Sequence, residues 1–187
     1  TIAIKGQGLA DVSPRAAAEA GVGYVPRERK IEGIVSGMSV YENMTLSQQK
    51  KFSQFGILKI SAERQLARDW IKKLAIKASS ENADSGNLSG GNQQKVVLSK
   101  WRSAGSDIML LDHPTRGLDI GAKEDVYEMI RDMSDAGVGI LLVADTFEEA
   151  IGLAHTIIVI KDGKIQKRFE YGLESKPTPY DLLHAMV

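Results

Sequence analysis

Two short runs hold the residues whose types and spacing could do chemistry. The first is Asn87-Leu88-Ser89-Gly90-Gly91-Asn92-Gln93-Gln94-Lys95. A serine and two glycines open a predicted helix that runs from near Ser89 to about Ser103. Glycines let backbone N–H groups approach an anion closely, and a helix N-terminus adds partial positive charge there. Ser89 can serve as N-cap and also donate its hydroxyl to a phosphate oxygen. Taken alone, Ser-Gly-Gly also reads as a plain flexible loop. The second run is Ile108-Met109-Leu110-Leu111-Asp112-His113-Pro114-Thr115-Arg116-Gly117-Leu118-Asp119. A buried strand that delivers an aspartate at its C-terminal end is how phosphate-handling sheets hold Mg²⁺, and ligands of open α/β sheets collect at that edge. The other reading of Asp112 is a cap on the turn after the strand.

The elements that position these runs alternate between short apolar strands and amphipathic helices. Thr1–Lys5 is a predicted strand ended by a Gly6-Gln7-Gly8 turn. Ser13 caps a short helix with Pro14 at its first position, and Gly21 closes it. Val22–Val25 is a second strand, followed by the polar loop Pro26–Gly33. Ser39 and Glu42 have capping-box spacing, with a helix expected to about Gln49. Leu66, Trp70, Ile71 and Leu74 recur at helical spacing between Ser61 and Ile76. Continuous apolar content predicts Ile108–Leu111 as a fully buried strand. A helix over Ala122–Ala136, a strand over Val138–Val143 and a helix over Thr146–Ala154 follow. Strands Thr156–Lys161 and Lys164–Glu170 turn at Asp162-Gly163, and a last helix begins at Thr178-Pro179. Strands separated by helices imply a mostly parallel sheet covered on both faces, with an antiparallel closing hairpin. The nearly all-helical stretch 40–85 reads as an inserted subdomain.

Composition sets the outer limits. Lysine plus arginine equals aspartate plus glutamate, 24 against 24, so no global field favours nucleic acid or anionic lipid. The Arg27–Lys30 cluster is too short to reverse this. Without cysteine there is no disulfide and no cysteine-ligated zinc, which fits a cytosolic setting. The longest apolar runs, Ile108–Leu111 and Ile140–Ala144, fall far short of the roughly 20 residues that span a bilayer. Any membrane link is therefore expected to run through a partner. The first residue is Thr1, and the sequence reads as an excised or processed piece.

In this order and spacing the two runs resemble the ABC ATPase family, over about Thr1–Arg168. Ser89–Asn92 matches the signature sequence, Leu110–Asp112 ends the Walker B strand, and Gly117-Leu118-Asp119 matches the D-loop. The Asn-Gln-Gln-Lys run after the glycines resembles the ribose, galactose and xylose importer branch, to which autoinducer importers also belong. So does Gly23-Tyr24-Val25-Pro26-Arg27-Glu28-Arg29-Lys30, which is similar to the Q-loop region of that branch's second nucleotide-binding domain. The resemblance implies a three-layer P-loop NTPase core with a helical subdomain at about 37–103. It assigns nucleotide contacts to Ser89, Gly90, Gly91, Asn92 and Asp119, and the Mg²⁺ ligand to Asp112.

The departures from the family pattern carry as much information. No Gly-x-x-x-x-Gly-Lys-Ser/Thr occurs in the 187 residues, so the phosphate cradle is absent from them. The expectation is that the N-terminal part of the domain, with a core strand, lies outside this chain and leaves an apolar gap in the sheet. His113 stands where the family has the glutamate that polarises the attacking water; a neutral imidazole can accept a proton but orients water less strongly than an anion. Asp145 stands where the switch histidine is usual, and an aspartate repels a γ-phosphate. As alternatives, His113 is a polar surface residue and Asp145 merely precedes a helix capped by Thr146. His155 and His184 read as ordinary helix-end residues.

The resemblance thus implies the second nucleotide-binding domain of an ABC-type carbohydrate importer, with a degenerate site of its own and a signature acting in trans. ATP and Mg²⁺ belong to the complete protein and are not expected on this chain alone, which is expected to be inactive. The implied partners are the first nucleotide-binding domain of the parent chain or a second copy, transmembrane permease subunits, and indirectly a periplasmic sugar-binding protein. The implied location is peripheral, at the cytoplasmic face of a bacterial inner membrane. A non-catalytic docking module that binds the permease or partner ATPase domain is a second reading. A chromosome-maintenance or translation-type ABC ATPase is a third, disfavoured by balanced charge and the signature's tail.

Overall fold

The computed structural model of the protein describes residues 2–8, 12–170 and 176–186. They divide into two compact units, Thr1–Leu141 and Leu142–Val187. In chain order the first unit contains β1 (Ala3–Ile4), β2 (Gln7–Gly8), α1 (Pro14–Glu19), β3 (Val22–Val25), α2 (Val40–Thr45), α3 (Gln49–Phe52), β4 (Ser53–Gln54), β5 (Ile57–Leu58), α4 (Ile60–Lys73), α5 (Gly90–Ala104), β6 (Ile108–Asp112) and α6 (Ile120–Asp135). The unit boundary falls inside β7 (Gly139–Val143), and α7 (Phe147–Leu153), β8 (Thr156–Lys161), β9 (Lys164–Glu170) and α8 (Pro179–Met186) follow.

Local chemistry explains most boundaries. Ser13 accepts the Ala16 N–H at 3.2 Å, Pro14 occupies the first turn of α1, and Gly21 leaves it at φ 87°. Ser39 and Glu42 form the full capping box at α2. The opening segment differs from its expectation. β1 pairs antiparallel with β2, and the reversal falls at Lys5-Gly6, both at positive φ, rather than at residues 6–8. That is the backbone a two-residue hairpin turn requires. Thr1 lies outside the described residues.

β6 lies between β3 and β7 and pairs parallel with β3 in the register Gly23↔Met109 and Tyr24↔Leu110. The expectation of a fully buried Ile108–Leu111 strand is corrected. Met109 and Leu111 are buried, whereas Ile108 and Leu110 are only partly covered. The cause is one-sided packing: α5 lays Trp101 on the sheet so closely that a Cβ on Gly23 would stand 2.7 Å from both Met109 Sδ and Trp101 Cβ. Tyr24 and Leu141 remain exposed.

α2, α4 and α5 share a core of Val40, Met44, Ala67, Ile76 and Val96, backed by Trp70, Ile71 and Leu74. The stretch 40–85 is not purely helical, because β4 and β5 form a small hairpin around Phe55-Gly56. In the second unit, Thr146 caps α7, and β8 and β9 pair antiparallel across the Asp162-Gly163 turn. Its core is Ile157, Val159 and Leu182, packed with Phe147, Ile151 and Phe169.

Candidate functional site

α5 begins at Gly90 with Ser89 in the capping position. The Ser89 side chain makes no capping hydrogen bond; its hydroxyl oxygen instead accepts from Asn92 Nδ2 at 2.7 Å. Asn92 Oδ1 in turn accepts the Lys77 N–H at 2.8 Å. Asn92 therefore steadies the serine from inside the helix, and Ser89 stays exposed at the open end of α5. The hydroxyl hydrogen is left to rotate toward a ligand.

Packing demands a glycine at 91 and brings side chains close to Gly90. A Cβ on Gly91 would meet Ala122 Cβ of α6 at 2.7 Å. One on Gly90 would meet Arg29 Nη2 at 2.5 Å and Leu118 Cδ2 at 3.3 Å. Close approach of the chain to itself is thus a structural reason for these residue types. The body of α5 is anchored by buried cations. Lys95 Nζ donates to the Leu74 carbonyl at 3.0 Å and pairs with Asp125 at 2.8 Å. Lys100 Nζ donates to the Gly33 carbonyl at 2.7 Å, and burial pulls its pKa below the ordinary lysine value.

Asp112 stands at the C-terminal end of β6, half-buried. The Tyr24 hydroxyl donates to Asp112 Oδ2 at 3.4 Å, and His113 Nε2 lies 3.8 Å from Oδ1. Burial raises the Tyr24 pKa, and the Asp112 and Glu32 charges raise it further. His113 takes φ 46°, so the chain turns sharply directly after the strand. The Arg116 N–H then bonds the His113 carbonyl, and the Leu118 N–H bonds the Thr115 carbonyl. Asp119 ends this loop by capping α6, its Oδ1 accepting the Ala122 N–H at 2.9 Å. A β6 carboxylate offers one Mg²⁺ ligand, but among the described residues no group of three His, Cys, Asp or Glu is placed to hold a metal ion.

Asp145 belongs to the second unit, in the turn before α7, where its N–H donates to Glu149 Oε2 at 2.7 Å while Thr146 caps the helix.

Two residues of the Gly23–Lys30 run were given no individual role by sequence. Arg29 donates through Nη1 to the Arg116 carbonyl at 2.7 Å, and Glu28 pairs with the Arg116 side chain at 3.1 Å. Tyr24 engages Asp112 from the neighbouring strand. Only the parallel pairing of β3 and β6 brings these groups together, and no local spacing signals it.

Comparison with known proteins bears on this arrangement. A family model described as ABC transporter matches residues 1–116. The chain is 42% identical over 154 residues to the arabinose import ATP-binding protein AraG of Rhizobium meliloti (strain 1021), covering 82% of this chain and 30% of that protein. It is 39% identical over 153 residues to the ribose import ATP-binding protein RbsA of Roseobacter denitrificans, again covering 82% and 30%. The chain thus spans about a third of the length of the curated relatives it matches. The dimeric post-hydrolysis structure of the ATP-binding cassette MJ0796 bound to ADP and Pi superposes with a TM-score of 0.72 at 21% identity, over 89% of this chain and 71% of that one. That likeness fixes the fold: an α/β cassette with a parallel sheet, flanking helices and a C-terminal antiparallel hairpin.

Proposed function

The chain belongs to the ABC transporter family, and we propose that it is part of the ATP-binding subunit of a carbohydrate importer, lending its Ser89–Gly91 turn to an ATP held by a partner domain. The observation that carries this reading is the open first turn of α5, where exposed Ser89 is held by Asn92 rather than spent as a helix cap. Backbone N–H groups at that turn and the rotatable Ser89 hydroxyl are suited to the oxygens of a terminal phosphate. Phosphoryl transfer is catalysed mostly by positioning and charge stabilisation, so donors from a second domain contribute directly. The names of the arabinose and ribose import relatives support carbohydrate as the cargo class. No helix among the described residues is long and apolar enough to cross a membrane.

The chain's own hydrolytic set reads as degenerate. His113 occupies the position after Asp112 in a left-handed turn, and Asp145 replaces a neutral or cationic γ-phosphate contact with an anion. Mg²⁺ and the phosphate cradle of the productive site are then supplied by the partner domain, and the ATP between the two is its substrate. The test is ATP turnover by the full-length protein assembled with its permease, comparing Ser89→Arg with His113→Ala. The expected result is loss of turnover in the first and near-normal turnover in the second. Equal losses would overturn the asymmetric reading, and no loss from Ser89→Arg would favour a docking module without a signature role.

A further inference from the structure

The polar loop after β3 is fastened to α5 at two levels. Near the middle of the helix, Lys100 holds the Gly33 carbonyl, and a Cβ on Gly33 would stand 3.0 Å from Val97 Cγ2. Between Arg29 and Gly33 the backbone forms one π-helical turn, a wide turn frequent at functional sites. At its start Arg29 reaches the first turn of α5. Its Nη2 fills the space a Gly90 side chain would need, and its Nη1 donates to the Arg116 carbonyl at 2.7 Å. Glu28 holds the Arg116 side chain from the preceding position. Leu118 closes on Gly90 from the same side as Arg29. One guanidinium therefore touches both the opening of the signature helix and the loop between β6 and α6.

We propose that Arg29 is a positioning residue that locks these two segments into one rigid edge, so that the Ser89–Gly91 turn and the Arg116–Leu118 loop meet the partner's ATP in a fixed relation. The inference rests on the trans role proposed above for Ser89–Gly91. A planar guanidinium suits the task because it presents separate donors in a rigid fork, whereas a lysine ammonium is a single point on a flexible stem. Displacement of such an edge by an ångström is enough to degrade a reaction that depends on positioning.

The experiment uses the full-length protein assembled with its permease and measures kcat and KM for Mg-ATP. Ser89→Arg is run first; if it leaves turnover intact, the trans reading itself fails, independently of Arg29. With Ser89→Arg inactive, Arg29→Ala is expected to lower kcat about ten- to a hundredfold while KM changes by less than about twofold, because the phosphate cradle is the partner's. Arg29→Lys is expected to resemble Arg29→Ala in kcat. Gly90→Ala is expected to cost less turnover in the Arg29→Ala background than with Arg29 present, since the colliding group is gone. Unchanged kcat in Arg29→Ala, full rescue by lysine, or losses that simply multiply would each overturn the proposal.

Discussion

The Tyr24 hydroxyl donates to the Asp112 carboxylate at 3.4 Å, across two strands whose register sets Tyr24 beside Leu110. The phenol thus reaches two residues along the neighbouring strand to the carboxylate at the C-terminal end of β6. Its proton is held there by partial burial first and by the Asp112 and Glu32 charges second. The anionic phenolate is disfavoured in the folded protein, so folding binds this proton more tightly than the unfolded chain does. Stability from Tyr24 is fully present below its ordinary value of 10.0 and is lost as pH rises above it. Ultraviolet titration of the tyrosines should show one phenol ionising late, absent in Tyr24→Phe and shifted toward ordinary tyrosine in Asp112→Asn. A titration unchanged by Asp112→Asn would separate the two residues.

Asn43 is the polar hub under the N-terminus of α2. It is 1% exposed; Oδ1 accepts the Val35 N–H at 2.8 Å, and Nδ2 donates to the carbonyls of Val35, Met38 and Ser39. Asn43→Ala should destabilise by about 1–3 kcal/mol, since a buried side chain loses its bonds to partners of which Ser39 is buried and Met38 partly so. Asn43→Asp should be worse, because a carboxylate would face three carbonyl oxygens with no proton to give. Denaturant melts decide it, and an aspartate variant as stable as the alanine variant would contradict the hub.

Glycines in this chain sort by what a methyl group would meet. At Gly91 it meets Ala122 at 2.7 Å, whereas at Gly152, inside α7, it meets nothing within 4 Å. Gly91→Ala should therefore cost about 1–3 kcal/mol through overpacking. Gly152→Ala should stabilise by about 0.5–1 kcal/mol, as alanine loses less backbone entropy in a helix. Thermal melts of the two variants should move in opposite directions.

Much of the fold was legible because its signals are local. Ser13-Pro14, Ser39 with Glu42, Thr146 and Thr178-Pro179 each mark a helix start within four residues, and each stands where expected. Asp162-Gly163 fixed the β8–β9 turn for the same reason. Ser89 and Asp112 stand at the helix and strand ends that their spacing implied. What stayed hidden depends on distant neighbours. The β4–β5 hairpin turns at Phe55-Gly56, where a lone glycine is the local signal and Phe55, 96% exposed at φ 52°, is not a residue type that announces a turn. Alternating burial of β6 follows from α5 lying on one face, which continuous apolar residues do not reveal. Arg29 looked like part of a charge cluster because its partners, Gly90 and the Arg116 carbonyl, lie 61 and 87 positions away.

Lys100 supplies the sharpest test of how α5 is anchored. It is 9% exposed, burial alone drives its pKa down from the ordinary 10.5, and it donates to a neutral carbonyl, Gly33 O. The charged form is the disfavoured one, so the unfolded chain binds the proton more tightly. Stability should therefore rise with pH between the lowered folded value and 10.5, where both states become neutral. Lys100→Met removes that rise, but it also strips the Gly33 carbonyl of its donor, an unpaired group worth about 1–3 kcal/mol. The two effects separate by pH. The slope in the alkaline range should vanish in the variant, while the carbonyl's loss should appear as a pH-independent offset. Chemical denaturation of wild type and Lys100→Met from neutral pH to pH 10.5 reads both at once, and a variant that keeps the alkaline slope would show that another group carries it.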